Sequence, residues 1–277
     1  MVDRRKGDET GSLGLDGLLF QAVRVTVMDH VLTVILNRPQ RKNAINETLA
    51  NELLYALDAA KHDPDVRVVV IGAAGDVFCA GADLAELSGV REPVTSTVPK
   101  RGELHDLSLR LRHLYKPVIC KVQGPALAGA LLIIGNATHV IASETARFSA
   151  PEIKRGLWPF MVMASLARVA SPRQALDFML RGYQIDARQA VSWGLINQVV
   201  PATELSAAAD ALARELASLS PAAIRLGLEA WARQEELAFD EAIIYLKDMF
   251  ARCLATEDAR EGIAAFMQKR QPIWKGR

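Results

Sequence analysis

Two short stretches, FCAGADL at 78–84 and GPALAGALL at 124–132, follow apolar runs and consist largely of residues too small for side-chain chemistry. Small residues let the backbone approach a ligand, and the first N–H groups of a helix lack partners within it. Such free amides bind an anion, or an oxygen that becomes anionic in a transition state. Two turns of this kind in one core can aim donors at a single oxygen. Each is also readable as plain architecture: the first as a tight strand-to-helix turn capped by Asp83, the second as a close-packed helix through Gly124, Ala128, Gly129 and Ala130. Amides alone move no proton; that step needs a side-chain base.

The elements that hold these turns follow from periodicity. Up to about residue 200, β-rich runs alternate with helical patterns, as in a layered α/β core. VRVTV and VLTVILN predict strands around a turn at 28–30; VRVVVIG predicts a strand buried on both faces, and PVICKVQG and HVIAS two more. Asn46 predicts a helix cap, with Leu49, Leu53, Leu54 and Leu57 on one apolar face. A polar stretch with Pro93 and Pro99 precedes a helix over about 104–115, and a small-residue helix is expected from about Ala126. Ser171, Pro172 and Gln174 predict a capping box, after which strand signals nearly vanish. Beyond Pro201 the pattern is helical. Thr203 is expected to cap a segment with Leu205, Ala209, Leu212 and Leu216 in register; Ser220 with Pro221 opens another, and Thr256 opens the last, with Glu257 and Asp258 against its dipole. The expected organisation is a flexible start over 1–16, a core over 17–200 and a helical region over 201–277, whose apolar faces need cover from the core or another subunit.

Composition removes several function classes. The 277 residues are 50% hydrophobic, with 33 basic against 32 acidic side chains, which describes a globular chain with a large core. A net charge of +1 supplies no general field for nucleic acid or an anionic membrane, so any bound phosphate must be met locally. Cys79, Cys120 and Cys253 match neither a zinc spacing nor a disulfide framework and read as buried thiols in a reducing compartment. The charged N-terminus lacks a secretion signal's apolar stretch, and no apolar run reaches the roughly 18 residues of a membrane span, so a cytoplasmic protein is expected. The glycines at 72, 75 and 81 spell no dinucleotide fingerprint, and no phosphate-loop or nucleophile-elbow pattern occurs.

Five stretches in order, LNRPQRKNAIN (36–46), FCAGADL, PVICKVQGPALAG (117–129), ARFSAPEIKRGLWP (146–159) and EGIAAFMQKRQPIWKGR at the end, resemble the crotonase superfamily of enoyl-CoA hydratases and isomerases. The resemblance covers roughly residues 20–277. It implies a spiral of ββα repeats with a helical C-terminal trimerisation region, trimers often pairing into hexamers. It implies an acyl-CoA thioester as substrate, with coenzyme A entering as part of it, and no metal or redox cofactor. The thioester carbonyl would sit between the N–H groups of Ala82 and Gly129, with Ala80, Asp83 and Leu84 beside it. Arg41 and Lys42 would meet the nucleotide portion, and Lys269 would reach a phosphate from a neighbouring subunit; a solvated basic face explains these three equally well.

The chain departs from the family's hydratase pattern at one position. Of the two carboxylates that pattern carries, Glu152 matches one; the other belongs three residues after Gly129, where the chain has Leu132. The spacing from 132 to 152 needs no gap. Hydration wants one group for water and another for the carbon-bound proton, whereas a single glutamate can carry a proton between two carbons, as a Δ3,Δ2-enoyl-CoA isomerase does. Leu132 also dries the site, which raises a nearby carboxyl's pKa and makes it a stronger base. Isomerisation is therefore the favoured expectation. Hydration stays open if His105 or Glu103 supplies the second group; a non-catalytic acyl-CoA binder stays open as well. An RNA-binding relative would want a lysine-rich stripe, and the balanced charge offers none. His105 and His113 otherwise read as solvated surface, and Glu152 as a loop carboxylate near Pro151.

Overall fold

The computed structural model describes residues 3–4, 14–15 and 17–277, so the flexible start expected over 1–16 lies mostly outside the described residues. Its strands are β1 Asp3–Arg4, β2 Val23–Met28, β3 Val31–Leu36, β4 Val68–Ala73, β5 Val118–Val122, β6 Ala126–Leu127, β7 His139–Ser143, β8 Arg147–Ser149, β9 Gln184–Asp186 and β10 Gln198–Val200. Seven form one sheet in the order β1-β2-β3-β4-β5-β7-β10, and β6-β8-β9 form a second. β2 and β3 make an antiparallel hairpin whose turn residues, Asp29 and His30, have φ of 49° and 66°, the left-handed pair that matches strand twist. The other pairs in the large sheet are parallel, so helical crossovers cover its faces.

β4 shows why its sequence is continuously apolar. Val69 and Ile71 enter the main core, while Val68 and Val70 enter a second cluster against Leu205, Ala209 and Ala213 of the helix Leu205–Ala217. Alternate side chains thus serve two cores, and neither face can be polar. Asn46 caps the helix Glu47–His62 by accepting from the Leu49 N–H, and the four predicted leucines are buried. A third, small cluster joins Leu226, Ala230 and Met249 from the helices Pro221–Gln234 and Phe239–Leu254. The last helix, Glu257–Gln268, is capped by Thr256 as expected.

Four local expectations are corrected. No helix starts at Ala126: residues 126–127 form β6, paired parallel with β8, and the helix Ala130–Ile134 begins only after Ala128 turns the chain with φ of 52°. Thr203 does not cap Leu205–Ala217, where Glu204 holds the cap position without a side-chain bond. Ser171 donates to the Gln174 side chain instead of accepting from the helix Pro172–Arg181. β9 and β10 are three-residue strands, too short to show a period. Cys79 and Cys120 are buried as expected, whereas Cys253 is only partly so.

Candidate active site

The first turn leaves β4 and is stitched to two other segments. Cys79 donates its N–H to the Pro125 carbonyl and accepts from the Leu127 N–H, which joins this turn to the second one. Ala80 N–H donates to the Lys42 carbonyl, and Gly81 N–H to the Cys79 sulfur. The Gly81 carbonyl accepts from Ile45 N–H at 2.7 Å, and Asp83 N–H returns to the Ile45 carbonyl at 3.0 Å. Between these fixed neighbours, Ala82 N–H has no acceptor among the described residues. Gly129 N–H, at the cap of Ala130–Ile134, has none either, although Ala128 N–H beside it donates to the Ser149 carbonyl.

The two turns lie in contact. Gly81 has φ of 91°, and a Cβ there would stand 2.6 Å from the Ala128 Cβ and 3.0 Å from Gly129 N. A Cβ on Gly129 would stand 3.3 Å from Ala82 N, in the space before the free amides. Only glycine leaves that space open.

Glu152 comes from the segment after β8. Pro151–Arg155 is a 3₁₀ helix ended by Gly156 at φ of 72°, and the Glu152 carbonyl accepts from Leu157 N–H. Its Oε2 is buried without a hydrogen-bond partner. Burial raises this carboxyl above the usual glutamate range, against its own backbone N–H and the Arg155 guanidinium. A carboxylate short of partners in a dry site is a strong base.

A cavity of about 550 Å³ brings the pieces together. Ala82, Gly129 and Glu152 line it, as do Arg41, Lys42, Ala80, Asp83, Leu84 and Leu132 from the sequence expectation. Its remaining wall includes Leu87, Leu104, Trp158, Phe160 and Met161. Lys269, at the end of the last helix, is not part of this wall within one chain. Glu103, His105 and His113 do not line it either, so the alternative in which His105 or Glu103 supplies a second group has no geometric support in this chain. His113 belongs instead to a separate surface cleft of about 900 Å³ beside Tyr55 and His62, which contains neither the free amides nor Glu152.

Asp83 lines the cavity, yet its carboxylate is already engaged. Arg38 donates to it twice at 3.0 Å, and its other oxygen accepts from Ala85 and Glu86 N–H groups. Glu152 is thus the wall's one carboxylate, among the described residues, without a cationic partner. The sequence gives no sign of Arg38 because its partner is 45 residues away, and it assigns no role to Arg155, Trp158 or Phe160, which the cavity wall brings in.

Residues 26–277 match the family model described as enoyl-CoA hydratase/isomerase. The chain belongs to that family. It is an acyl-CoA enzyme of the enoyl-CoA hydratase/isomerase type, built on the crotonase fold. The 2,3-dehydroadipyl-CoA hydratase of Escherichia coli K12 is 35% identical over 256 residues, covering 91% of this chain and 98% of that protein. A Mycobacterium tuberculosis protein named probable enoyl-CoA hydratase echA8 is 33% identical over 256 residues, covering 92% and 98%. The crystal structure of the Bacillus anthracis enoyl-CoA hydratase superposes with a TM-score of 0.84 at 29% identity, covering 93% of this chain and 100% of that one.

Proposed function

We propose that this family member shifts a double bond in an enoyl-CoA thioester, with Glu152 as its only acid/base group. The reading is supported above all by the pairing of a half-buried Glu152, whose Oε2 is buried without a hydrogen-bond partner, with Leu132 at the position of a second carboxylate. The thioester oxygen accepts from Ala82 and Gly129 N–H. Glu152 removes a proton from C2 of a 3-enoyl ester, the electron pair moves into a dienolate with its charge on that oxygen, and the same proton returns at C4. Atoms and charge balance without a redox or metal cofactor. Preorganised donors of this kind are each worth about 10²- to 10³-fold in rate.

Arg41 and Lys42 at the cavity wall are suited to the phosphates of coenzyme A, and Lys269 to a phosphate reached from a neighbouring subunit. Exposed Phe239, Ile244, Phe250, Phe266 and Met267 on the C-terminal helices favour a homotrimer or a dimer of trimers. No described helix is long and apolar enough to cross a membrane, and a cytoplasmic site is part of the proposal.

The names of the relatives favour hydration as the second reading, with one glutamate handling both water and proton. A panel of 3-enoyl- and 2-enoyl-CoA esters, assayed for double-bond migration and for water addition, separates the two. Migration is expected to be faster, and Glu152→Gln is expected to lower it by at least about 10²-fold while CoA-ester binding persists. Faster water addition would overturn the isomerase assignment; neither reaction would leave an acyl-CoA binder.

A further inference from the structure

We infer that Arg38 is a positioning residue that fixes the direction of the Ala82 N–H by gripping Asp83, an inference that rests on the oxyanion role proposed for that amide. In a trans peptide the carbonyl and the following N–H point in opposite directions. The Gly81 carbonyl is bonded to Ile45 N–H, so the Ala82 N–H must point the other way. The direction of the donor therefore depends on how the segment 38–46 is held against the turn 79–83.

Three backbone bonds hold that seam, Ala80 N–H to Lys42, Ile45 N–H to Gly81 and Asp83 N–H to Ile45. Arg38 adds a side-chain brace across it. Its guanidinium donates to the Ala44 carbonyl on one side and twice to Asp83 Oδ2 on the other, with a further bond of 2.7 Å to Glu92. Asp83 is itself locked, because Oδ1 accepts from Ala85 and Glu86 N–H. Arg38 is 4% exposed and Asp83 8%, so the pair is desolvated. Burial works to raise the Asp83 carboxyl, and Arg38 with the two backbone donors outweighs it, leaving the group ionised below the usual range.

Stability alone is a weak reason for such a pair, since apolar replacement of both partners is often neutral or better. A planar fork with donors on fixed vectors supplies orientation, which one flexible ammonium does not. Arg38 touches no reacting atom; the oxyanion feels it only through the turn.

The test uses an Arg38→Met, Asp83→Asn double variant. It leaves no unpaired buried charge, and the asparagine oxygen keeps the cap to Ala85 and Glu86. Acetoacetyl-CoA is the probe, because its enolate has its own ultraviolet band, and binding of free coenzyme A, which has no thioester carbonyl, is measured beside it. The expected result is unchanged coenzyme A affinity, with the enolate fraction of bound acetoacetyl-CoA and kcat lower by about 10- to 100-fold. Arg38→Lys, which keeps the charge and loses the fork, is expected to fall between wild type and the double variant with KM unchanged, and it carries the test if the double variant does not fold. Wild-type enolate formation in either folded variant overturns the inference. A wild-type protein that does not favour the bound enolate is a different result: it removes the oxyanion reading itself.

Discussion

At the residue scale the decisive contrast is between Glu152 and Leu132. A base must be ionised, so kcat/KM is expected to fall as pH drops through the raised Glu152 pKa, on the alkaline side of the usual glutamate value of 4.5. Arg155 opposes that rise, and Arg155→Gln is expected to move the acid limb to higher pH, with Arg155→Lys restoring it. An unmoved limb would remove Arg155 from the electrostatics of the site. The same raised pKa acts on folding. The folded state holds the proton more tightly than the unfolded one, so a penalty is absent below the unfolded pKa and grows as pH rises through the folded one. Glu152→Gln is therefore expected to melt higher than wild type at pH 7, with the difference vanishing in acid; a thermal melt series checks it. Leu132→Glu is expected to raise water addition to 2-enoyl esters at least about tenfold, at some loss of stability because the position is 1% exposed. No gain in a folded, ligand-binding variant would sink the single-glutamate account. Both positions were legible through the family resemblance, whose hydratase pattern puts a carboxylate at each. Arg38 was not, since burial of a charge is visible only with its partner.

At the element scale the two turns depend on backbone that the sequence half conceals. GPALAGALL reads as a helix from about Ala126, yet Ala128 adopts a left-handed φ and splits that stretch into a strand and a five-residue helix. Alanine in that region is unfavourable by roughly 1–2 kcal/mol, and the bonds of Leu127 and Ala128 N–H to Cys79 and Ser149 offset it. Tertiary pairing overrides propensity here, and no local pattern announces it. Ala128→Gly is expected to be neutral or stabilising by up to about 1 kcal/mol. Gly81→Ala is expected to be damaging, because its Cβ would stand 2.6 Å from the Ala128 Cβ at a φ of 91°. Combining the two substitutions is expected to recover part of the loss in denaturant midpoint; no recovery would mean that backbone strain at 81, rather than the Cβ contact, governs the turn. The strands β2, β3, β4, β5 and β7 and the Asn46, Ser220 and Thr256 caps were readable because each signal is local.

At the scale of the whole molecule, the five most exposed large apolar side chains among the described residues all lie in the C-terminal region. Phe266 is 86% exposed and Phe239 78%, values that suit a large obligate interface. Light scattering at micromolar concentration is expected to give three or six times the 30.2 kDa chain mass, and a monomer would refute the assembly. Phe266→Glu is expected to lower that mass. The sequence made these unburied faces legible, but the seam between two cores at β4 emerged only with the sheet order, because both of its faces read alike. That partition has a consequence for hydrogen exchange. The helix Leu205–Ala217 is fastened to the sheet through Val68, Val70 and Ile119, so its amides should open with β4 and β5. The helices Pro221–Gln234 and Phe239–Leu254 pack on the small cluster around Leu226, Ala230 and Met249, separate from both sheet-bound cores, so an isolated chain should exchange there first, by subglobal opening. Deuterium would then fill the periphery while the hydrogen-bonded amides of Cys79, Ala80, Asp83, Leu127 and Ala128 stayed protected.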